Sequence, residues 1–98
     1  MCDYKIEMTT TFEFVFRIAE SEYTTDWIET SDQRALQLTS ELHEDAEIFS
    51  GDIDYDETYV YWTVGFTVPS GIREEIIAKS KVFNTQNNNV ELAEVIDE

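Results

Sequence analysis

The alternation of apolar and polar side chains is strictest in the segment TTFEFVFRIA, which is residues 10–19. One side of this segment carries Phe12, Phe14, Phe16 and Ile18, and the other side carries threonine, glutamate, valine and arginine. A period of two residues is typical of a β-strand, because successive side chains of a strand point to opposite faces. The segment therefore predicts a strand with one covered face.

A second alternating segment lies at residues 47–55. Its apolar residues Phe49, Ile53 and Tyr55 fall on one side, and acidic residues fall on the other. Gly51 is a candidate bulge, because a glycine inside a strand pattern often marks one. We predict a single strand over this segment.

Residues 58–68 form the clearest hairpin with that strand. The alternation predicts that Tyr59 and Tyr61 project outward, toward the side on which the acidic residues of the preceding segment also lie. The residues predicted to point inward are Val60, Trp62, Val64, Phe66 and Val68.

The first of two predicted helices begins at Thr30 and ends near Asp45. Thr30 stands three residues before Gln33, which is the spacing of a capping box, in which two otherwise unpaired backbone donors are satisfied. A polar and acidic connector, residues 20–29, precedes the helix. Its apolar stripe is formed by Ala35, Leu38 and Leu42.

The second predicted helix follows Pro69, which cannot donate to a continuing strand, and Ser70 is its expected N-cap. Residues 84–89 contain four asparagines and predict a loop. Residues 90–96 are predicted as a short final strand, although the spacing of their apolar residues also suits a helix. The apolar stripe of the second helix is formed by Ile72, Ile76 and Phe83.

The order β-α-β-β-α-β predicts an α+β fold with the ferredoxin-like layout. In this layout a four-stranded antiparallel sheet carries two helices on one face, and the other face meets solvent. The length of 98 residues predicts a single domain over residues 1–98, with residues 1–8 expected to fray as an N-terminal tail.

The charge of the chain is the main indication of its function. There are 22 Asp and Glu residues against 6 Lys and Arg, and the net charge is −16. Such a chain cannot displace counterions from nucleic acid phosphates, nor dock on an anionic membrane face, so we expect neither to be bound directly. The single Cys2 and the lack of a long apolar run predict a reduced, cytoplasmic protein. A partner is expected to be basic.

Catalytic and metal-binding patterns are missing from the sequence. His43 is the only histidine, and no glycine-rich phosphate loop, serine elbow or Cys/His zinc spacing occurs. The alternate aspartates of residues 52–56 resemble the start of a calcium loop, but the sixth position is Glu57 instead of glycine, and the twelfth is Thr63 instead of glutamate. We therefore expect no enzyme activity, no cofactor and no metal.

The negative charge is concentrated in one part of the chain. Residues 20–57 carry 13 acidic residues and one basic residue, Arg34, whereas the other 60 residues carry a net charge of −4. A solvated strand face would explain this pattern. Mimicry of DNA would also explain it, since the net charge of −16 is comparable to the charge of a short duplex. The residues predicted to bind a partner are Glu20, Glu22, Asp26, Glu29, Asp32, Glu41, Glu44, Asp45, Glu47, Asp52, Asp54, Asp56, Glu57, Tyr59 and Tyr61.

In size, acidity and predicted layout the chain resembles phage-encoded DNA-mimic inhibitors, and in particular the small anti-CRISPR proteins directed at type I surveillance complexes. The opening MTTTFEFVFRI, residues 8–18, is similar to that group. The resemblance implies a host-defence inhibitor that occupies the basic channel holding target DNA and blocks DNA binding without chemistry. The group has no shared functional residues, so the residues named above depend on charge and pattern alone.

Two other functions fit the same sequence. The first is a DNA mimic directed at a different nucleic-acid-binding protein, such as a restriction enzyme, a repair enzyme or a nucleoid protein, because charge does not separate these targets. The second is an acidic domain of a salt-loving organism, whose surface charge serves hydration. In each case the protein is expected to be a monomer or a homodimer.

Overall fold

A computed structural model describes residues 8–49 and 51–95. Five strands and two helices follow one another in this part of the chain, with a 3₁₀ turn after the first strand and another before the second helix. The strands are β1 (Thr9–Ala19), β2 (Glu47–Ile48), β3 (Asp52–Tyr55), β4 (Tyr59–Pro69) and β5 (Val90–Glu94), the helices are α1 (Thr25–Leu42) and α2 (Arg73–Gln86), and the 3₁₀ turns are Glu20–Glu22 and Ser70–Ile72.

All strand pairs in the sheet are antiparallel. β4 and β1 lie at its centre, β5 pairs with the other side of β1, and β2 and β3 both pair with the other side of β4. The β1–β4 pairing extends over both full strands, from Thr9 opposite Pro69 to Ala19 opposite Tyr59. The two segments with the strictest alternation are therefore direct neighbours.

The hydrophobic core lies on one face of this sheet, which we call the helix face because both helices cover it. Phe14 is fully buried, and its ring centroid lies 5.4 Å from that of Phe66 and 5.6 Å from that of Phe83 on α2. The other buried apolar residues of this cluster are Phe12, Phe16, Ala35, Val64, Val68, Ile76, Val90 and Leu92. The predicted covered face of the strands is thus confirmed, and the opposite face, the open face, carries no helix.

The sheet has five strands instead of the predicted four, because the segment after α1 is divided. Glu47 lies opposite Thr67, whereas Asp52 lies opposite Thr63, so this segment has one more residue than the part of β4 that it faces. An extra residue of this kind is a β-bulge, and it reverses the side on which later residues lie. The prediction of a bulge near Gly51 is consistent with this register.

The bulge makes one predicted grouping wrong. Phe49 donates its N–H to the carbonyl oxygen of Gly65 at 2.7 Å, and its ring lies over that glycine on the open face. Ile53 lies opposite Trp62 on the helix face. Phe49 and Ile53 therefore lie on opposite faces, although a regular strand would place them on the same side.

Helix α1 begins at Thr25, five residues before the predicted start at Thr30. Trp27 packs against the core, and Ser31 is buried one turn later, so the inward stripe extends back beyond Ala35. The residues of the predicted capping box lie inside the helix instead. The helix ends at Leu42, before the predicted end near Asp45.

The second helix continues three residues into the predicted asparagine loop and ends at Gln86. Ser70 is not its N-cap, because a 3₁₀ turn comes first and the Ser70 hydroxyl lies 2.9 Å from that of Thr10. The final strand predicted over residues 90–96 is a strand and not a helix over Val90–Glu94, which is β5, and residue 96 lies outside the described residues. An N-terminal tail was predicted to fray over residues 1–8, and residues 1–7 lie outside the described residues. Met8 is bound to the fold, because its carbonyl oxygen accepts the Ser70 N–H at 2.9 Å.

Candidate functional site

The open face near the β3–β4 turn combines acidic and aromatic side chains. Asp52 lies opposite Thr63 and Asp54 opposite Tyr61, so these two carboxylates share a face with the outward tyrosines of β4. The rings of Tyr59 and Tyr61 lie 6.2 Å apart between their centroids. This arrangement agrees with the predicted common side of the aspartates and tyrosines.

The turn itself is held by Asp56. One carboxylate oxygen, Oδ1, accepts the N–H groups of Thr58 and Tyr59, each at 2.7 Å, and the other, Oδ2, accepts the hydroxyl of Tyr61 at 2.7 Å. These bonds favour the ionised carboxylate, the Tyr59 N–H most strongly, and hold the pKa of Asp56 below its ordinary value. The same contact raises the pKa of Tyr61, because its hydroxyl proton bonds a carboxylate.

Arg17 lies on the open face beside these residues, although it is not among the predicted site residues. Its guanidinium carbon is 4.7 Å from the centroid of the Tyr59 ring, and its Nη2 donates to the carbonyl oxygen of Asn88 at 3.1 Å. Arg17 also pairs with Tyr61 across the strands. The indication in the sequence was the alternation of β1, which places Arg17 on the face of the β4 tyrosines.

The predicted acidic residues do not form one continuous surface. Helix α1 is 18 residues long and therefore spans about 27 Å, so it separates the acidic residues before it from those after it. Glu20 lies near the turn, because its N–H donates to the carbonyl oxygen of Thr58 at 3.0 Å. We call the following residues the hairpin group: Glu20, Glu22, Asp52, Asp54, Asp56, Glu57, Tyr59 and Tyr61. The distal group lies in the last turn of α1 and just after it, and consists of Glu41, Glu44, Asp45 and Glu47.

The remaining three predicted residues, Asp26, Glu29 and Asp32, lie on α1 between these groups. Asp32 is half-buried and lines a cavity of about 460 Å³ against the sheet edge, whereas the other two are exposed. The structure therefore brings eight of the predicted residues together at one end of the sheet and distributes the other seven along α1 and beyond it.

Within residues 8–49 and 51–95, the acidic residues of both groups form no ion pair. In the described residues, the ion pairs all involve Arg73, which contacts Glu74 at 2.9 Å and Glu94 at 2.6 Å. Arg34 donates instead to the side-chain oxygen of Asn87 at 3.0 Å. The contact with Arg73 lowers the pKa of Glu94, a residue outside the predicted set. Among the described residues, the predicted carboxylates therefore have no cationic partner within the protein itself.

The described part of the chain contains an apolar cavity between its helices and no metal-binding cluster. A cavity of about 470 Å³ between the two helices is mainly apolar, with Leu38, Leu42 and Phe83 among its lining residues. No group of three or more His, Cys, Asp or Glu side chains within residues 8–49 and 51–95 is arranged to hold a metal ion. No helix of these segments is long and apolar enough to cross a membrane.

Comparisons with protein-family models, with curated proteins and with solved structures found no match to this chain.

Proposed function

We propose that this protein is an acidic DNA-mimic inhibitor that binds a Lys/Arg-lined groove of a DNA-binding protein and catalyses no reaction. The observation that carries the proposal is the set of carboxylates between Glu20 and Glu57, which form no ion pair among the described residues. Unpaired charges on an open surface attract a groove of opposite charge and raise the rate of association. The protein itself does not bind nucleic acid.

The dimensions of the molecule support mimicry of a local part of DNA. The described part measures 60 × 27 × 25 Å. A duplex carries about 35 charges over 60 Å and one of its strands about 18, whereas the whole chain carries −16. The charge is thus nearer to that of one strand, and it is concentrated at the hairpin and distal groups. Contact is therefore expected at these groups and not along the whole long axis.

The tyrosines of the hairpin group supply contact area between the carboxylates. Tyrosine combines a flat apolar ring with a hydroxyl, and arginine binds well to both ring faces and carboxylates. Arg17 already lies over the Tyr59 ring, which demonstrates that this ring accepts a guanidinium group. In the proposed complex, arginines of the partner contact Asp52, Asp54 and the Tyr61 edge in a similar way.

As the target we propose the DNA-binding channel of a type I CRISPR-Cas effector complex in a bacterial host cell. The support for this choice is the resemblance in size, acidity and layout to small anti-CRISPR proteins. As part of the same proposal, the sheet is a ferredoxin-like sheet whose second strand is divided by the bulge into β2 and β3. The strand order and the antiparallel pairing of β1 with both β4 and β5 support it.

Competition with DNA tests the proposal. A purified type I effector complex is mixed with labelled target DNA, and the protein is titrated in at several salt concentrations. We expect the DNA to be displaced, with an affinity that falls as salt rises, because salt screens opposite charges. If this complex keeps its DNA while an unrelated DNA-binding protein loses its DNA, the type I effector complex is not the target, and the alternative DNA-mimic function is supported.

A salt control separates inhibition from adaptation to high salt. An inhibitor of this kind is folded at about 0.15 M salt, where the surface charges still act over about 8 Å. A domain of a salt-loving organism unfolds there and needs molar salt. Circular dichroism at both salt concentrations measures the difference, and unfolding at the lower concentration would contradict the proposal.

A further inference from the structure

Strand β3 forms an open edge of the sheet. Among the described strands it pairs only with β4. In an antiparallel pair, every second residue directs its N–H and carbonyl groups to the neighbouring strand, and in β3 these residues are Asp52 and Asp54. The bonds on either side, from Phe49 to Gly65 and from Asp56 to Tyr59, follow the same alternation. The N–H and carbonyl groups of Ile53 therefore point away from the sheet, and no strand in residues 8–49 or 51–95 covers them.

At the opposite edge of the sheet, a side chain caps the outward backbone groups of Leu92, the middle residue of β5. There the Asn84 side chain accepts the N–H of Leu92 at 2.8 Å and donates to its carbonyl oxygen at 2.9 Å. An exposed edge is a template for another strand, and proteins commonly protect it. At β3 the corresponding protection is a single bond, from the N–H of Tyr55 to Asp54 Oδ1 at 2.8 Å.

The two sides of the open edge differ in chemistry. Asp52 and Asp54 lie on its open-face side. On its helix-face side, the side chains of Ile53 and Tyr55 are 44% and 75% exposed, which is unusual for large apolar groups in a strand. A cavity of about 460 Å³ adjoins this side at Trp62, the residue opposite Ile53, and it is lined by Asp32, Leu36, Ile48, Phe49, Gly51 and Trp62.

We propose that the β3 edge binds an extended segment of a partner protein in which basic and apolar side chains alternate, and that this segment adds a strand to the sheet. Added strands gain affinity from main-chain bonds and specificity from alternate side chains. The basic side chains then meet Asp52 and Asp54, and the apolar side chains meet Ile53 and the cavity. Main-chain pairing does not require the partner to be a DNA-binding protein, so this proposal is independent of DNA mimicry.

Charge excludes a second copy of this chain as the occupant. Two β3 strands paired edge to edge would bring the aspartates of one copy beside those of the other, and like charges on neighbouring strands are destabilising. A segment with lysine or arginine at every second position has the opposite effect.

Model peptides test the edge directly. The probe is an acetylated and amidated octapeptide of alternating lysine and valine, and the control is an octapeptide of the same composition with all lysines first. We expect the alternating peptide to bind the full chain about tenfold more tightly, because only its pattern lets main-chain pairing place lysines beside Asp52 and Asp54 and valines on the side of Ile53. Its binding should slow hydrogen exchange of the Ile53 amide, as measured by NMR.

Two changes, one in the peptide and one in the protein, remove main-chain hydrogen bonds without changing the charge. N-methylation of alternate peptide residues removes donors from the probe, and Ile53→Pro removes the outward N–H of the protein while leaving the β3–β4 bonds in place. Each change should abolish the tenfold preference, whereas Ile53→Val should keep it. Equal affinities of the alternating and block peptides, or a homodimer that protects the Ile53 amide, would overturn the proposal. The N-methylated peptide decides the matter if Ile53→Pro does not fold.

Discussion

Asn84 and Leu92 are joined by two hydrogen bonds, in which one side-chain amide of helix α2 takes the place of a neighbouring strand for β5. Leu92 is 1% exposed, and its backbone groups point away from β1, since the bonds of β5 to β1 are made by the residues on either side of it. The asparagine therefore ends the sheet at this edge and fastens the last strand to the helix that precedes it.

Replacing this asparagine should destabilise the fold. Asn84→Ala removes both bonds, and at about 0.5–1.5 kcal/mol for each bond the free energy of unfolding should fall by about 1–3 kcal/mol. Urea denaturation measures the loss. Asn88→Ala is the matched control, since its side chain makes no hydrogen bond among those described, and a similar loss in this variant would refute the role of Asn84.

The pH dependence of the turn should follow Asp56. Its pKa is lowered in the folded protein, so the stabilisation is fully present above the ordinary carboxyl pKa and is lost as the pH falls through the lowered value. NMR shifts of the Thr58 and Tyr59 amides should report this titration. Asp56→Asn should remove it, and Tyr61→Phe should move its midpoint to higher pH, because one bond to the carboxylate is gone. An unchanged midpoint in Tyr61→Phe would contradict the hydroxyl contact.

Gly51 should tolerate no side chain. The indole ring of Trp62 covers its α-carbon so closely that a methyl group would overlap the ring. Gly51→Ala should therefore lower the free energy of unfolding by about 1–3 kcal/mol. Gly71→Ala is the control, because nothing lies within 4 Å of a methyl group there, and it should be neutral or slightly stabilising. Thermal denaturation of both variants checks the difference, and equal effects would count against close packing at Trp62.

Charge reversal should identify the binding surface. Changing Asp52, Asp54 and Glu57 to lysine alters the hairpin group without removing Asp56 from the turn, and Glu41, Glu44 and Glu47 form the matching distal set. Reversing either set should raise the protein concentration needed to displace DNA by about tenfold or more, since charges buried in an interface contribute several kcal/mol.

The control set, with the same change in charge, is Glu74, Glu75 and Glu91, which are exposed and outside the predicted site. Exposed charges contribute about 0.2–1 kcal/mol, so this set should have a smaller effect. Competition with labelled DNA is the measurement. Equal losses in all three sets would indicate attraction by net charge alone.

The central strands could be predicted from the sequence because burial on one face imposes a period of two residues. The start of α1 could not, because Ser31 and Thr39 occupy buried positions of its inward stripe, and their polarity conceals the helical period. The side on which Phe49 lies was wrong for a different reason. A bulge depends on pairing with β4, and this pairing is a long-range property that the local pattern does not contain.

The candidate site was predicted in composition but not in grouping. A dense run of acidic residues along the chain suggests one surface, yet α1 carries the later residues away from the turn. The three hydrogen bonds that Asp56 accepts could not be predicted from the sequence pattern either. They depend on the conformation of the turn, which brings Asp56 close to Tyr61.

The difference between the two edges of the sheet limits how the molecule can assemble. The side chain of Asn84 already binds the backbone groups of Leu92, in the middle of the β5 edge. A further strand can therefore pair at the β3 edge of a molecule but not at this position of its β5 edge. For the strand addition proposed at β3, the expected stoichiometry is therefore one added strand per molecule, without growth from the β5 edge.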